Sequence, residues 1–283
     1  MIVSTRELLA DAAEAGSGLA ALNVIHLESA EAIAAAAELT GHGAVLQISQ
    51  NCVRYHGGLA PIAAATRAVA EASTARLSLH LDHAEDADLV RAAIDLGFSS
   101  VMYDGARLPY DANVAATRTI VSEAERAGVL IEAELGEVGG KDGAHAPGVR
   151  TDPDEAATFV AETGVHALAV AVGSSHAMVT KSAAVDVDLV ARLARSVPVP
   201  LVLHGSSGVP EQSLAEAVRA GMRKINVSTQ LVQTFTTAVR DRLAADPALV
   251  DSRKYLAAGR EAMALEAASV LRLVAGTATT GGA

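Results

Sequence analysis

The chain has 283 residues, 51% of them hydrophobic but only 2% aromatic, with no Trp and a formal net charge of −11. That length supports one large domain whose core is built from Ala, Val, Leu and Ile. The acidic balance argues against a nucleic-acid backbone or an anionic membrane as partner, although a few local cations and backbone amides suffice to hold one phosphate.

Cys52 is the only cysteine, so an intrachain disulfide is excluded and a reducing, cytoplasmic setting is expected. The opening MIVSTRELLADAAEAG lacks a basic segment followed by an apolar run, so no secretory signal is expected. The apolar stretches are too short and interrupted to span a bilayer.

From there the chain alternates about eight times between short β-branched or Leu-rich runs and Ala-rich helical stretches. Runs 20–25 (AALNVI) and 44–48 (AVLQI) read as the first two strands, with a helix over 28–39 between them. The third is 77–82 (LSLHLD), followed by a helix over 86–96; the fourth is 100–103 (SVMY), followed by a helix over 111–127. The fifth, 129–134 (VLIEAE), opens into a glycine-rich loop, 136–148, of a length and composition common in lids. Runs 166–172 (HALAVAV), 200–204 (PLVLH) and 223–227 (RKINV) complete the set, with a helix over 211–220. Gly97, Gly128, Gly164 and Gly221 stand where helices should end. Strand–helix alternation at this spacing predicts an α/β fold, a single-domain (β/α)8 TIM barrel over 1–275, with 276–283 as a disordered tail. A doubly wound open sheet is disfavoured, because no glycine-rich dinucleotide loop follows the first strand.

The ionisable residues collect at strand ends. The third run finishes in Asp82-His83, the fourth enters Asp104-Gly105, and the fifth carries Glu132 and Glu134 on one face. His176 lies just past the sixth run, His204 closes the seventh, and the eighth ends in Asn226-Val227-Ser228-Thr229. In a closed barrel all of these surround the C-terminal mouth, where such folds place their chemistry. Neutral imidazoles from three strands, His83, His176 and His204, make a zinc set that leaves one position open. His80, on the same face as Asp82, reads as packed behind the ligands. His42, His56, His145 and His166 read as ordinary loop or strand-start residues, and one of Glu132 and Glu134 is expected to pair with a cation. HGSSG (204–208) and NVST (226–229) fall at the usual phosphate corner, where small residues let amides approach an anion and hydroxyls add donors. Lys181 is a candidate charge there.

Taken together, LHLDHAED, VMYDGA, EAELGEVGG, AVAVGSSHAM, LVLHGSSGVP and KINVST resemble the class II, zinc-dependent ketose-bisphosphate aldolases. The match is to the shorter fructose- and tagatose-bisphosphate type and runs from ALNVIHLE to RKYLAAGREAM. It implies reversible cleavage of a ketose 1,6-bisphosphate or 1-phosphate into dihydroxyacetone phosphate and an aldehyde. It implies catalytic zinc on His83, His176 and His204, with Asp82 as acid/base on the hydroxyl that becomes the aldehyde. Asp104 and Glu134 match positions given to a second divalent metal, and many members also use a monovalent cation. Asn23, Ala177, Gly205, Ser206, Ser207, Asn226, Val227, Ser228 and Thr229 would bind substrate, most of them at the dihydroxyacetone phosphate end. Ser49 and Arg54 would lie on the aldehyde side, and Asp142 is the candidate for exchanging the enediolate proton. A homodimer or homotetramer is implied.

The residue types suit that reaction. Breaking the C3–C4 bond leaves a carbanion beside a carbonyl, which a divalent Lewis acid stabilises. A carboxylate next to the ion can take the C4 hydroxyl proton and return it. The chain departs from the family pattern at Ala177 (commonly Gly), Asp142 (commonly Glu) and His26 (commonly Asn). Two other functions stay open: a zinc-dependent hydrolase or epimerase on the same barrel, and a non-catalytic subunit of an aldolase complex. The absence of an early His-x-His disfavours the hydrolase, and the retained histidines with Asp82 disfavour the subunit.

Overall fold

The computed structural model describes residues 1–135, 150–175 and 180–277. Asp142 and His145 in the glycine-rich loop, and His176 and Ala177, lie outside the described residues. Eight parallel strands close on one another in chain order: β1 (Leu19–Asn23), β2 (Ala44–Ser49), β3 (Leu77–Ala84), β4 (Ser100–Tyr103), β5 (Leu130–Leu135), β6 (Ala167–Val170), β7 (Leu201–Leu203) and β8 (Met222–Val227). Each falls within a few residues of the run that predicted it. The largest difference is at β6, which spans only the middle of 166–172. Helices expected over 28–39, 86–96, 111–127 and 211–220 form as Leu27–Thr40, Ala87–Asp95, Tyr110–Glu125 and Glu211–Ala220. The four glycines expected at helix ends all adopt positive φ. No described helix is long and apolar enough to cross a membrane.

Alternation along the strands sorts residues between two cores. Leu79, Leu81, Val101, Ile131, Leu168 and Ile225 pack outward, in the layer between barrel and helices. Leu19, Ala21, Val45, Leu130, Ala167 and Val202 fill the lower interior, together with Leu8 and Leu9 of the helix Thr5–Glu14. That helix covers the base of the barrel, and its Thr5 hydroxyl reaches Ser100 Oγ at 2.7 Å and Ser78 Oγ at 3.1 Å. Small residues such as Ala21, Ala167 and Ala169 leave the middle of the interior to longer polar side chains.

Two pairings break step, β7–β8 between Leu201 and Val202 and, at the mouth, β3–β4. The β3–β4 register shifts between Leu81 and Ala84, and His83 has φ +51°, the only non-glycine with positive φ among the described residues. Such a bulge re-aims side chains and costs backbone energy, of order 1–3 kcal/mol for a left-handed non-glycine. Its effect is seen at the mouth.

Because Leu9 is 2% exposed beneath the barrel, Leu9→Ala should destabilise the fold by roughly 2–5 kcal/mol. Denaturant unfolding should show this as a lowered midpoint with an unchanged slope.

Candidate active site

In a regular strand Asp82 and His83 would point to opposite faces. The left-handed turn at His83 brings both to the mouth, with His83 Nε2 3.9 Å from Asp82 Oδ2. His83 Nδ1 lies 2.8 Å from Asp104 Oδ2 at the end of β4. Asp104 is a buried carboxylate, so Nδ1 carries the proton and the lone pair of His83 sits on Nε2.

His204, just past β7 and fully buried, is held the other way round. Its Nε2 is 3.0 Å from Glu132 Oε1, and its Nδ1 is 3.0 Å from His83 Nε2. Glu132 Oε2 takes an ion pair with Lys224 Nζ at 2.8 Å, which is the cation partner expected for one of the two β5 carboxylates. Burial would raise the Glu132 carboxyl, but Lys224 and the hydrogen bond from His204 outweigh it and hold it well below the usual carboxylate range. Glu134 Oε2 lies 3.8 Å from His204 Nδ1.

The donor chemistry can now be tested against a metal. One nitrogen of each imidazole lies on a carboxylate, and the remaining two, His83 Nε2 and His204 Nδ1, face each other across 3.0 Å; two neutral rings so held would meet lone pair to lone pair. Their planes stand at 89°. That arrangement is repulsive unless a cation or an extra proton sits between them. Asp82 completes a group in which one ligand atom from each of Asp82, His83 and His204 lies within 4.8 Å of the others. Paired nitrogens backed by carboxylates are the donor set of a zinc site, so the residues present fit the ion. Burial acts to raise the Asp82 carboxyl, but positive charge around it, on His83 and His204 whenever these are protonated and on Lys224, brings it below its ordinary value.

A cavity of ≈ 440 Å³ opens above this group. On one side, Gly205, Ser207, Ser228 and Thr229 line it. Gly205 has φ +66°, and a Cβ there would come within 2.5 Å of Ser175 backbone atoms, so only glycine lets the two segments meet. Thr229 begins the helix Thr229–Ala245 at the cavity edge; its cap Ser228 makes no side-chain capping bond, and the Gln230 amide donates instead to Ser207 Oγ at 3.2 Å. On the other side stand Arg54 and Arg107, flanking Glu85 at 3.6 and 3.8 Å.

Of the expected site residues, Asp82, His83, Asn23, Ser49, Gly205, Ser207, Asn226, Ser228 and Thr229 line this cavity, as does Arg54. Asp104 and Glu134 sit against the two histidines instead. Three further expected residues do not line this cavity with their side chains. Lys181 stands outside, bonded to Glu211 at 2.8 Å, because an exposed loop lysine finds the nearest helix-end carboxylate. The Ser206 hydroxyl is spent on the Asn226 carbonyl, tying the turn after β7 to β8. The Val227 side chain packs into the outer core, as alternation from inward-facing Asn226 requires. His26 proves to be a helix cap: Nδ1 accepts from Ser29 N, and the Ser29 hydroxyl reaches back to His26 N. His80 is fully buried, and burial with nearby Lys224 pushes it down to about 3, so it is a neutral packed residue.

Lys224, Gln47, Glu85 and Arg107 went unassigned in the sequence. The signal for the first was present: Lys224 is two residues before Asn226 on a strand, so it shares the inward face. Arg107 gave none, since it lies in an irregular turn.

A model of the family described as fructose-bisphosphate aldolase class-II matches residues 3–278. A fructose-bisphosphate aldolase of Geobacillus stearothermophilus is 36% identical over 266 residues, 93% of each chain. A 6-phospho-5-dehydro-2-deoxy-D-gluconate aldolase of Bacillus subtilis is 37% identical over 264 residues, 92% of this chain and 91% of that one. Among solved structures, the YdjI aldolase of Escherichia coli K12 superposes with a TM-score of 0.84 at 28% identity, covering 97% of both chains.

Proposed function

This chain belongs to the class-II fructose-bisphosphate aldolase family, and from that premise we propose that it cleaves a ketose 1,6-bisphosphate reversibly, using zinc held by His83, His204 and His176. The observation that carries this is the pair of imidazole nitrogens facing each other at 3.0 Å beside Asp82, each ring held by a carboxylate at its other nitrogen. When bound, the ion supplies a Lewis acid that polarises the ketone carbonyl. The protein's own groups do the rest. Asp82 takes the C4 hydroxyl proton as the C3–C4 bond breaks, so C4 leaves as an aldehyde and the bond electrons remain on C3. That role is supported by Asp82 being buried and held as a carboxylate, with Asn226 Nδ2 3.4 Å from its Oδ1. Asn226 Oδ1 is buried with no hydrogen-bond partner among the described residues and lines the cavity, so it can accept from a substrate hydroxyl. The amides around Gly205 and Thr229, with Ser207 and Ser228, would hold the phosphate of the dihydroxyacetone half. Asp142 is proposed to exchange the C3 proton after the aldehyde departs.

The far wall bears on the substrate's other end. Two guanidiniums, Arg54 and Arg107, share a single carboxylate, Glu85, whose Oε2 is also bonded by Gln50. One positive charge is left over at a distance from the first phosphate corner. An anionic distal end is favoured over a neutral one, and a 1,6-bisphosphate over a 1-phosphate. The different substrates for which the relatives are named leave the sugar itself open. A second divalent ion on Asp104 and Glu134 would have to displace the hydrogen bond that Asp104 makes to His83. A cytoplasmic setting and a homodimer or homotetramer are proposed on the family resemblance. The Cys52 thiol, which burial pushes up to about 11, takes no part.

Chelation should abolish cleavage, followed by coupled detection of dihydroxyacetone phosphate, and added zinc should restore it; metal-free protein that still cleaves would sink the mechanism. Asp82→Ala should keep its zinc and lose roughly 10²–10⁴-fold in turnover, whereas loss of the metal would make Asp82 a ligand. In an assay panel of fructose and tagatose bisphosphates against 1-phosphate sugars, Arg107→Ala should lower kcat/KM for the bisphosphate about tenfold or more, the scale of one charge-assisted hydrogen bond. The 1-phosphate rate should hardly move; equal losses on both would show that Arg107 does not read the distal end.

A further inference from the structure

Beneath the histidines lies a lysine that the cleavage chemistry does not use. Lys224 of β8 is 1% exposed, in the middle of the barrel. A buried ammonium is costly unless its donors are all matched. Here they are: Nζ reaches Glu132 Oε2 at 2.8 Å, Gln47 Oε1 at 3.4 Å and His80 Nε2 at 3.4 Å. Three N–H donors meet three acceptors, one each from β5, β2 and β3.

An ammonium can only donate, and that fixes the sense of every hydrogen bond leading away from it. Toward the base, His80 must accept at Nε2, so its Nδ1 carries the proton and donates to Ser100 Oγ at 2.7 Å. Ser100 then meets the Thr5 hydroxyl at 2.7 Å, and Thr5 donates to Ser78 at 3.1 Å. Toward the mouth, Glu132 is an anion fixed at one oxygen by Lys224, so its other oxygen can only accept. In a neutral ring His204 then donates from Nε2, which Asn226 Nδ2 also approaches at 3.2 Å, and turns Nδ1 as an acceptor toward His83.

We propose that Lys224 is a positioning residue for the metal centre, acting through Glu132 to set the tautomer and the aim of His204. Gln47 and His80 hold the ammonium so that it cannot swing away from Glu132. The chain of fixed donors then runs from the helix at the barrel base to a zinc-facing nitrogen, across five strands. The inference rests on the reading that His83 and His204 hold zinc. It adds that the ion's affinity depends on a residue that touches neither the ion nor the substrate.

The test uses the full-length protein. Nitrogen-15 NMR of the imidazoles in metal-free wild type should show His204 protonated at Nε2 and His80 at Nδ1. A His204 protonated at Nδ1 would overturn the proposal without any variant. The double variant Lys224→Met with Glu132→Gln removes the ion pair while keeping approximate volume. Swaps of this kind are often neutral for folding, and a retained circular dichroism spectrum and unfolding midpoint would check it. Its zinc dissociation constant, measured by competition with a chromophoric chelator, should rise by about 10–100-fold, and the single His204 tautomer should be lost. A folded double variant that binds zinc as wild type does would overturn the proposal. Wild type that takes up no zinc would instead sink the reading of the site, and the two failures are thereby told apart. If the double variant does not fold, Gln47→Met, which removes one acceptor from the ammonium, should weaken zinc binding in the same direction; unchanged affinity there would count against the proposal.

Discussion

The constraint on which the rest depends is a charge pair taken entirely out of water. Lys224 and Glu132 meet at 2.8 Å inside the barrel, 1% and 0% exposed. Either charge alone at that depth would cost several kcal/mol. Together, and with the remaining donors and acceptors matched, they form a polar layer between an apolar floor and a reactive mouth. The floor is made from small residues, Ala21, Ala167 and Ala169 among them, and closed by the helix Thr5–Glu14. A protein with almost no aromatic residues can build such an interior because nothing bulky competes for the space the lysine needs.

Above that layer the histidines inherit their roles from below and beside. Asp104 takes the proton of His83 at one nitrogen, and Glu132 takes that of His204 at the other. Two residues of the same type thus offer different atoms to one point, and the difference is set by which carboxylate each can reach. The cavity is polar as well. Hydroxyls of Ser207, Ser228 and Thr229 and the guanidiniums of Arg54 and Arg107 all line it, so a chain with a formal net charge of −11 still presents anion-holding groups at its site.

Much of this was legible in the sequence because barrels translate order into position. Once eight strands are recognised, any polar residue at the end of one is assigned to the same mouth, and the histidines and Asp82 followed directly. What escaped did so for identifiable reasons. Lys224 lies inside a strand and not at its end, and an interior lysine looks like an exposed one until the inward face is fixed by Asn226. Lys181 and Arg107 occupy irregular segments, where spacing carries no direction; the first turned outward and the second inward. Ser206 has the composition of an anion-binding turn, yet its hydroxyl closes onto the neighbouring strand. Asp142 and His176 lie outside the described residues, so the part of Asp142 rests on resemblance and that of His176 on resemblance and on its place after the sixth run.

The left-handed residue in β3 has a mechanical consequence. Because the strand steps out of register there, two side chains that are neighbours along the backbone, Asp82 and His83, meet at the same point, 3.9 Å apart. They are joined through a single rigid peptide unit. The separation of the two side chains is thereby set within one strand and not by the loops around the rim.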